Sequence, residues 1–556
     1  MSRGRLAPVC ALVILVLGIY GSRLERLSIR GEEPRRATVA KEMLATGEWI
    51  VPRIQGHPFL SRPPLQNWSI ALFSTLTGGI DRLAMRLPSA LAVLFTVLLV
   101  YWYSGHFLRR AGAFAAAVAF STMAQVMELG RLGETEALFT LFVGASLLVW
   151  HLGYAKSWPA PMVWMAGYGL AALGALTKGT QAPVYFVGAV CLFLVLRRDW
   201  GWLFGRPHLA GILLFVVVIG LWGIPFVVET GWDGVRSMLF TEVGYRFTDT
   251  SLSAVFSHLV AYPFQLLLCM LPWSMALVCF WHRSSRSGAE GASPAVAFAM
   301  ISLIVAFPTC WIPPGAHERY MMPLYPLVAV LIGVALQRCY DSRPGSTLDR
   351  WHRALCVAMA ASMFGVGLTI LGLSLWSTPD DQMWAQPRAF AVVYAVLAAG
   401  AAGLVLWSGR GRGGVRHQCG LLAVGVFMGL SVTGVFVNTL DRQSVDTPGA
   451  IAELERNLPT DHRMVSLGPV NPLFGFLYPH RIDRIDRLDD ALLLENGTFF
   501  CFNPMQPLPA DARSLPFPWR EVAAVSVARR LDQLDDLVVV VGRYDSDLSV
   551  APGDPR

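Results

Sequence analysis

Charge is scarce in this chain. Lys, Arg, Asp and Glu together make up 15% of its 556 residues, where soluble globular domains carry about 25%. That deficit excludes an ordinary water-soluble domain. Organised cysteine is missing too. Of the nine cysteines, Cys10, Cys191, Cys269, Cys279, Cys310, Cys356 and Cys419 fall in or at the edge of apolar runs, Cys339 lies in a basic loop and Cys501 stands alone in the tail. No CxxC metal site or disulfide framework can be built from them, and they read as core residues. His317-Glu318 has no second His at helical spacing, which excludes a helical zinc motif. The tail carries no glycine-rich phosphate loop. Asn67-Trp-Ser69 and Asn496-Gly-Thr498 are sequons, which matter only in a secretory eukaryotic cell.

Apolar residues are abundant and grouped. They make up 54% of the chain, the mean hydropathy is +0.49, and they form long runs in place of strand or helix alternation. A bilayer demands this pattern, since a spanning helix needs about 20 apolar residues with every backbone group satisfied internally. About thirteen runs qualify, near 7–21, 84–104, 112–128, 137–152, 162–177, 180–196, 207–228, 258–281, 293–310, 321–337, 352–376, 388–407 and 417–437. The first is short, but no small-residue cleavage site precedes Ser22, so it reads as an uncleaved first helix.

With the N-terminus inside, the inner loops hold Arg3 and Arg5, Arg109 and Arg110, Lys156, then Arg197, Arg198 and Arg206. Later inner loops hold Arg283 and Arg286, then Arg338, Arg343, Arg350 and Arg353, then Arg410, Arg412 and Arg416. The segment 377–387 on the other side leans acidic. The net charge of +7 is therefore mostly a topology signal, and no nucleic-acid partner is implied.

Three outer segments are too long for simple turns: 22–83, 229–257 and everything after about 438. The tail changes character. It has β-rich runs at Arg463–Leu467, Thr498–Phe502 and Leu537–Val541, with helical stretches at Ala450–Asn457 and Arg520–Leu531. The expected architecture is an all-α polytopic membrane domain over 1–437 with a small soluble α/β domain over 438–556 on the outer face. In the first outer segment Pro34 suits the first turn of a helix to about Thr46, closed by Gly47. Val39, Ala40, Met43 and Leu44 share one face, so this helix is expected on the membrane surface, holding Glu32 and Glu33 at its positive end.

The stretch Gly31–Trp68, GEEPRRATVAKEMLATGEWIVPRIQGHPFLSRPPLQNW, resembles the first outer loop of the aminoarabinose lipid A transferase and protein O-mannosyltransferase relatives, within the GT-C superfamily. The shared elements are an acidic pair, an Arg, a Glu-Met-Leu helix, Gly-acidic/Glu-Trp, and a basic residue before Pro-Pro-Leu. Arg86-Leu-Pro-Ser-Ala90, Leu176-Thr-Lys-Gly179 and Arg319-Tyr-Met-Met-Pro323 resemble further family signatures in the same order. The resemblance implies a GT-C fold and transfer of a sugar, aminoarabinose- or hexose-like, from a polyprenyl-phosphate donor to a glycolipid, polysaccharide or protein acceptor. Such an enzyme needs cations for the departing phosphate and one carboxylate for the acceptor.

On that resemblance Glu32 takes the catalytic acidic position, usually Asp, with Glu33 as its neighbour. Arg62 takes the Lys position before Pro-Pro-Leu, and Ser61 replaces a Glu. Lys178, Arg246 and Tyr320 are candidate donor-phosphate contacts, with Arg35, Arg131 and Glu136 in support. Plain structural readings stand beside these: dipole complementation for Glu32 and Glu33, headgroup anchoring for Arg62, snorkelling for Lys178 and an Arg131–Glu136 ion pair. No cofactor is called for, and a divalent metal stays open without any spacing that indicates one. The rivals are a transporter or flippase and a non-catalytic scaffold of the same fold. A transporter is disfavoured because the centres of the runs are nearly free of charge. The expected setting is a bacterial inner membrane, with the site and tail periplasmic.

Overall fold

The computed structural model describes residues 3–244, 251–281, 293–376, 384–486, 496–503 and 515–545, apart from 516, 530 and 532–536. Among these, ten helices are long and apolar enough to cross a membrane, and Leu6–Gly21, Arg110–Ser121 and Gln181–Arg197 are shorter apolar helices. Every apolar run read from the sequence overlaps one of these helices. The chain is an integral membrane protein.

Small residues decide how closely the bundle packs. Helix Tyr325–Asp341 is buried along all but its last turn and meets Arg110–Ser121, which is built largely of alanine and glycine. A Cβ on Gly333 would lie 2.7 Å from the carbonyl oxygen of Gly112, so only glycine permits this approach.

Several boundaries differ from the sequence expectation. The run 112–128 is a helix to Ser121 and then a short helix Ala124–Leu129. The run 258–281 ends as α-helix at Cys269, ahead of Pro272, and resumes as a 3-10 helix at Trp273–Trp281. The segment 229–257, expected as a long connection, is helical to Gly244. Gly231 at φ 69° breaks that helix, and helix Leu252–Cys269 follows.

At one end of the bundle the first loop forms helix Glu33–Thr46, a hairpin of β1 (Arg53–Ile54) and β2 (His57–Pro58), and helix Leu65–Thr77. Gly47 caps the first of these helices at φ 75°, donating its N–H to the Met43 carbonyl. The buried face of that helix differs from the expected one. Arg36 is inside and Leu44 outside, because Ala37 and Ala40 pack on Ile70, Ala71 and Phe476. Phe476 belongs to the C-terminal region, so the helix is sandwiched between protein layers.

The C-terminal region holds β3 (Met464–Leu467), β4 (Ile482–Ile485), β5 (Phe499–Phe502), β6 (Trp519–Ser526) and β7 (Val538–Tyr544), in sheet order β4-β3-β5-β7-β6. β3 pairs in parallel with β4 and β5, while β7 runs antiparallel to β5 and β6. Period-two alternation sends Met464, Phe499 and Cys501 to the face covered by helices Thr447–Asn457 and Pro472–Leu477. It sends Val465, Phe500 and Phe502 to the other, against Leu515 and Phe517. The helix expected over Arg520–Leu531 is a correction: most of it is the edge strand β6. Its alanines favour a helix, but pairing along β7 and burial of Val525 override that preference.

Candidate active site

The site is built on a buried ion pair. Glu33 opens its helix, and its carboxylate is wholly enclosed. One oxygen accepts from Arg86 Nε at 2.7 Å and from the Gly133 N–H at 2.8 Å. The other accepts from Arg86 Nη2 at 2.8 Å and from the Arg30 N–H at 3.1 Å. Arg86, also fully buried, donates further to the carbonyls of Leu24, Leu27 and Ser28. A bidentate pair with every lone pair engaged is the geometry in which buried charges hold a fold together. It ties the first loop to helix Arg82–Ser104 and to the turn at Gly133. Glu33, expected beside Glu32 in catalysis, thus has its carboxylate committed to this joint.

Glu32 faces outward, its side chain about a third exposed at 32%. Its carboxylate meets Arg35 at 2.6 Å and Arg36 at 3.7 Å. Arg36 in turn donates to Ser61 Oγ at 3.1 Å, which couples the acidic pair to the Ser61-Arg62 turn. The Glu32 backbone N–H donates to Glu134 Oε1 at 3.0 Å. Gly31 makes that contact accessible: it sits at φ +65°, and a Cβ there would lie 1.9 Å from the same oxygen.

Behind this lies a charge cluster. Lys178, the last residue of helix Ala160–Lys178, donates to Glu136 Oε1 at 2.7 Å, and its ammonium lies 5.0 Å from the centre of the Tyr320 ring. Arg319 bridges Glu134 at 3.2 Å and Glu136 at 3.8 Å. Burial, and next the negative charge of Glu136, push the Glu134 carboxyl up to about 7, against the pull of the Glu32 N–H and Arg319. Its folded affinity for a proton exceeds the ordinary one, so ionisation of Glu134 lowers stability as pH rises toward about 7 and adds nothing further above it.

Arg62 and Lys178 line one cavity of about 380 Å³, together with Thr180, Gln181, Tyr185 and Pro308. Pro308 also lines an apolar groove of about 1000 Å³ that runs along Leu303, Phe307 and Val328 as far as Arg338. A cationic chamber therefore opens beside a long hydrophobic trough.

The structure brings together Glu32, Arg35, Arg62, Glu136, Lys178 and Tyr320. It does not bring Arg131 to Glu136. Arg131 is buried and donates instead to the carbonyls of Ile19 and Ser22, closing the end of the first helix, so the expected Arg131–Glu136 pair is not formed. Arg246 lies outside the described residues. Sequence reasoning missed Glu134 and the roles of Arg86 and Arg319 as partners of carboxylates. A signal for Arg86 was present, since an arginine inside an apolar span demands an anion. Among the described residues, no three His, Cys, Asp or Glu side chains group as a metal site.

Residues 61–223 match the family described as dolichyl-phosphate-mannose-protein mannosyltransferase. The chain is 28% identical over 320 residues to the undecaprenyl phosphate-alpha-4-amino-4-deoxy-L-arabinose arabinosyl transferase of Edwardsiella ictaluri, covering 56% of each chain. It is 26% identical over 377 residues to that of Pseudomonas aeruginosa, covering 66% of this chain and 64% of the relative. The match thus spans 56% to 64% of these relatives' own length. ArnT from Cupriavidus metallidurans, solved bound to undecaprenyl phosphate, superposes with a TM-score of 0.72 at 19% identity over 97% of this chain and 98% of that one. The chain shares the fold of that structure.

Proposed function

We propose that this GT-C membrane protein is a glycosyltransferase that takes a sugar from a polyprenyl-phosphate carrier. The observation that carries the reading is the junction at Pro308, where the chamber holding Arg62 and Lys178 meets the apolar groove. That combination suits a ligand with an anionic head and a long hydrocarbon tail. The groove takes the isoprenoid chain, and the cations take the phosphate. The curated relatives are named for an undecaprenyl phosphate donor, which supports the same class of substrate.

The reaction is a displacement at the anomeric carbon. The acceptor oxygen forms the new C1–O bond while the C1–O bond to phosphate breaks, and the electron pair leaves with the polyprenyl phosphate. Glu32, partly exposed and held by Arg35, receives or orients the acceptor's proton. Arg62 and Lys178 neutralise the departing phosphate in a poorly solvated site, where such charges act strongly. Glu136, itself paired with Arg319, holds Lys178 in place, and Tyr320 lies against the Lys178 ammonium. One carboxylate on the acceptor side fits inverting transfer.

In this reading residues up to about 437 form the transferase domain and those from 438 a cap over it. The site and the cap face the periplasm of a bacterial inner membrane, which the basic loops on the opposite side support. The sugar is of the aminoarabinose or hexose type, and the acceptor is a glycolipid or another extracytoplasmic molecule.

The test is donor kinetics in nanodiscs with a radiolabelled undecaprenyl-phosphate sugar. Arg62→Ala and Lys178→Ala are expected to raise the donor KM or lower kcat/KM by about 10²-fold or more each. Unchanged donor kinetics in both variants would remove the phosphate role of this chamber.

A further inference from the structure

Several spans end together at the side of the bundle away from Arg62 and Lys178. Helix Tyr325–Asp341 starts just beyond Tyr320, whose ring faces Lys178, and its 17 residues carry the chain about 25 Å further. Where it stops, helix Thr347–Trp376 begins, and helices Arg388–Gly409 and Gly414–Leu430 are joined by the turn 410–413. Arg412 ties the two connections by donating to the Ser342 carbonyl. Between them lies a pocket of about 220 Å³. Sites for drug-sized ligands run from about 300 to 1,000 Å³, so this one suits a single phosphate group and is too small for a nucleotide.

The lining is strongly positive. Arg353, Arg410 and Arg412 stand against one carboxylate, that of Asp349. Asp349 is already engaged by Arg353 and by the Gly345 N–H, the latter at 2.8 Å. Arg410 has no ion-pair partner among the described residues. Two of the helices begin here, and the N–H groups of a first turn add positive potential. A buried side chain points to a ligand independently. His417 lines the pocket, is only 6% exposed, and leaves its Nδ1 without a hydrogen-bond partner. Its ring is held flat against Tyr340 at 3.9 Å between centres, with His352 edge-on at 5.6 Å. A buried imidazole left unpaired calls for a partner, and the pocket beside it has room for one.

We propose that this pocket binds a phosphate group, and that the group belongs to the headgroup of an anionic membrane lipid. Arg410 and Arg412 take the phosphate oxygens, and the His417 N–H completes the set. What borders the pocket favours a lipid as the source. Trp407 lies just before Gly409, is half-exposed, and has the Arg416 guanidinium 4.2 Å from its ring centre. Such a ring suits the membrane interface. Val357 and Leu404, further along two of the same spans, are exposed as well, which acyl chains require. Basic pockets between spans take anionic headgroups in this way. The site is separate from the transferase reading and stands or falls without it.

The test measures binding to the detergent-solubilised, delipidated full chain by native mass spectrometry and calorimetry. The probes are phosphatidylglycerol, phosphatidylcholine and glycerol phosphate. Phosphatidylglycerol is expected to bind at least about tenfold more tightly than phosphatidylcholine, and the double variant Arg410→Gln/Arg412→Gln to weaken it about tenfold. Arg343 is exposed in the neighbouring connection but lies outside the pocket. Arg343→Gln is expected to change the affinity by less than about twofold. His417→Phe keeps a ring on Tyr340 while removing the N–H, and is expected to weaken the lipid several-fold. Equal losses in Arg343→Gln and the double variant would mean diffuse attraction to basic loops and would overturn the proposal, as would unchanged binding in the double variant. Glycerol phosphate binding as tightly as the lipid would overturn the lipid source and assign the pocket to a soluble phosphate ester. Thermal melting of each variant identifies one that has merely unfolded.

Discussion

Two adjacent glutamates divide the work at the head of one helix. Glu33 is enclosed and bonded to Arg86, Arg30 and Gly133, while Glu32 is partly exposed and meets Arg35. Breaking one member of a buried pair leaves the other charge stranded, at a cost of about 3–5 kcal/mol. Glu33→Gln and Arg86→Leu are therefore expected to lower the melting temperature of the detergent-solubilised protein and its folded yield. Glu32→Gln should leave both within experimental scatter. Equal melting for Glu33→Gln and the wild type would remove the joint. The acidic pair was legible in the sequence as a pair. Its division of labour was not, because the partner Arg86 is 53 positions away and only the fold brings it there.

Glu134 carries a second prediction at this scale. Its carboxyl loses its proton near pH 7 and then sets a negative charge beside Arg319, which also meets Glu136, the partner of Lys178. Donor KM is expected to rise as pH goes from about 6 to about 8, since added negative charge repels the phosphate. Glu134→Gln should flatten that rise. A wild-type KM independent of pH over this range would contradict it. No motif pointed to Glu134. Its importance comes from Gly31, whose missing side chain lets the carboxyl oxygen reach the Glu32 N–H.

Elements show the same mix of the legible and the hidden. Apolar run length located the spans because hydrocarbon imposes it directly. Helix Leu65–Thr77 was not foreseen: its 13 residues are too few for a span, and they follow a Pro-Pro pair that reads as a loop. The edge strand β6 was taken for a helix because its alanines carry no sign of the neighbour strand that claims them. Close helix contact is testable. Gly333→Val would drive a side chain into the Gly112 carbonyl, 2.7 Å from the Cβ position. Overpacking of this kind costs about 1–3 kcal/mol, so a lowered melting temperature is expected, and an unchanged one would mean the two helices are free to part.

At the scale of the whole molecule, the first loop and the C-terminal region meet through the packing of Phe476 and through specific bonds, three of them made by Gln55. Gln55→Ala is expected to loosen the docking of the C-terminal region on the first loop and lower the melting temperature. Unchanged melting would mean these bonds do not hold the two together. The existence of a β-rich tail was readable from its short apolar runs. Its docking on the first loop was not, because the contacts join positions more than 400 residues apart.

The measurement that bears most directly on the proposed chemistry is release of sugar from a radiolabelled undecaprenyl-phosphate donor by membranes holding the wild-type chain, Glu32→Gln or Glu33→Asp. Wild-type turnover that falls by about 10²-fold or more in Glu32→Gln, in protein that melts like the wild type, is the predicted result. Equal turnover in Glu32→Gln and the wild type, or no turnover by the wild type with any sugar offered on this carrier, would contradict it.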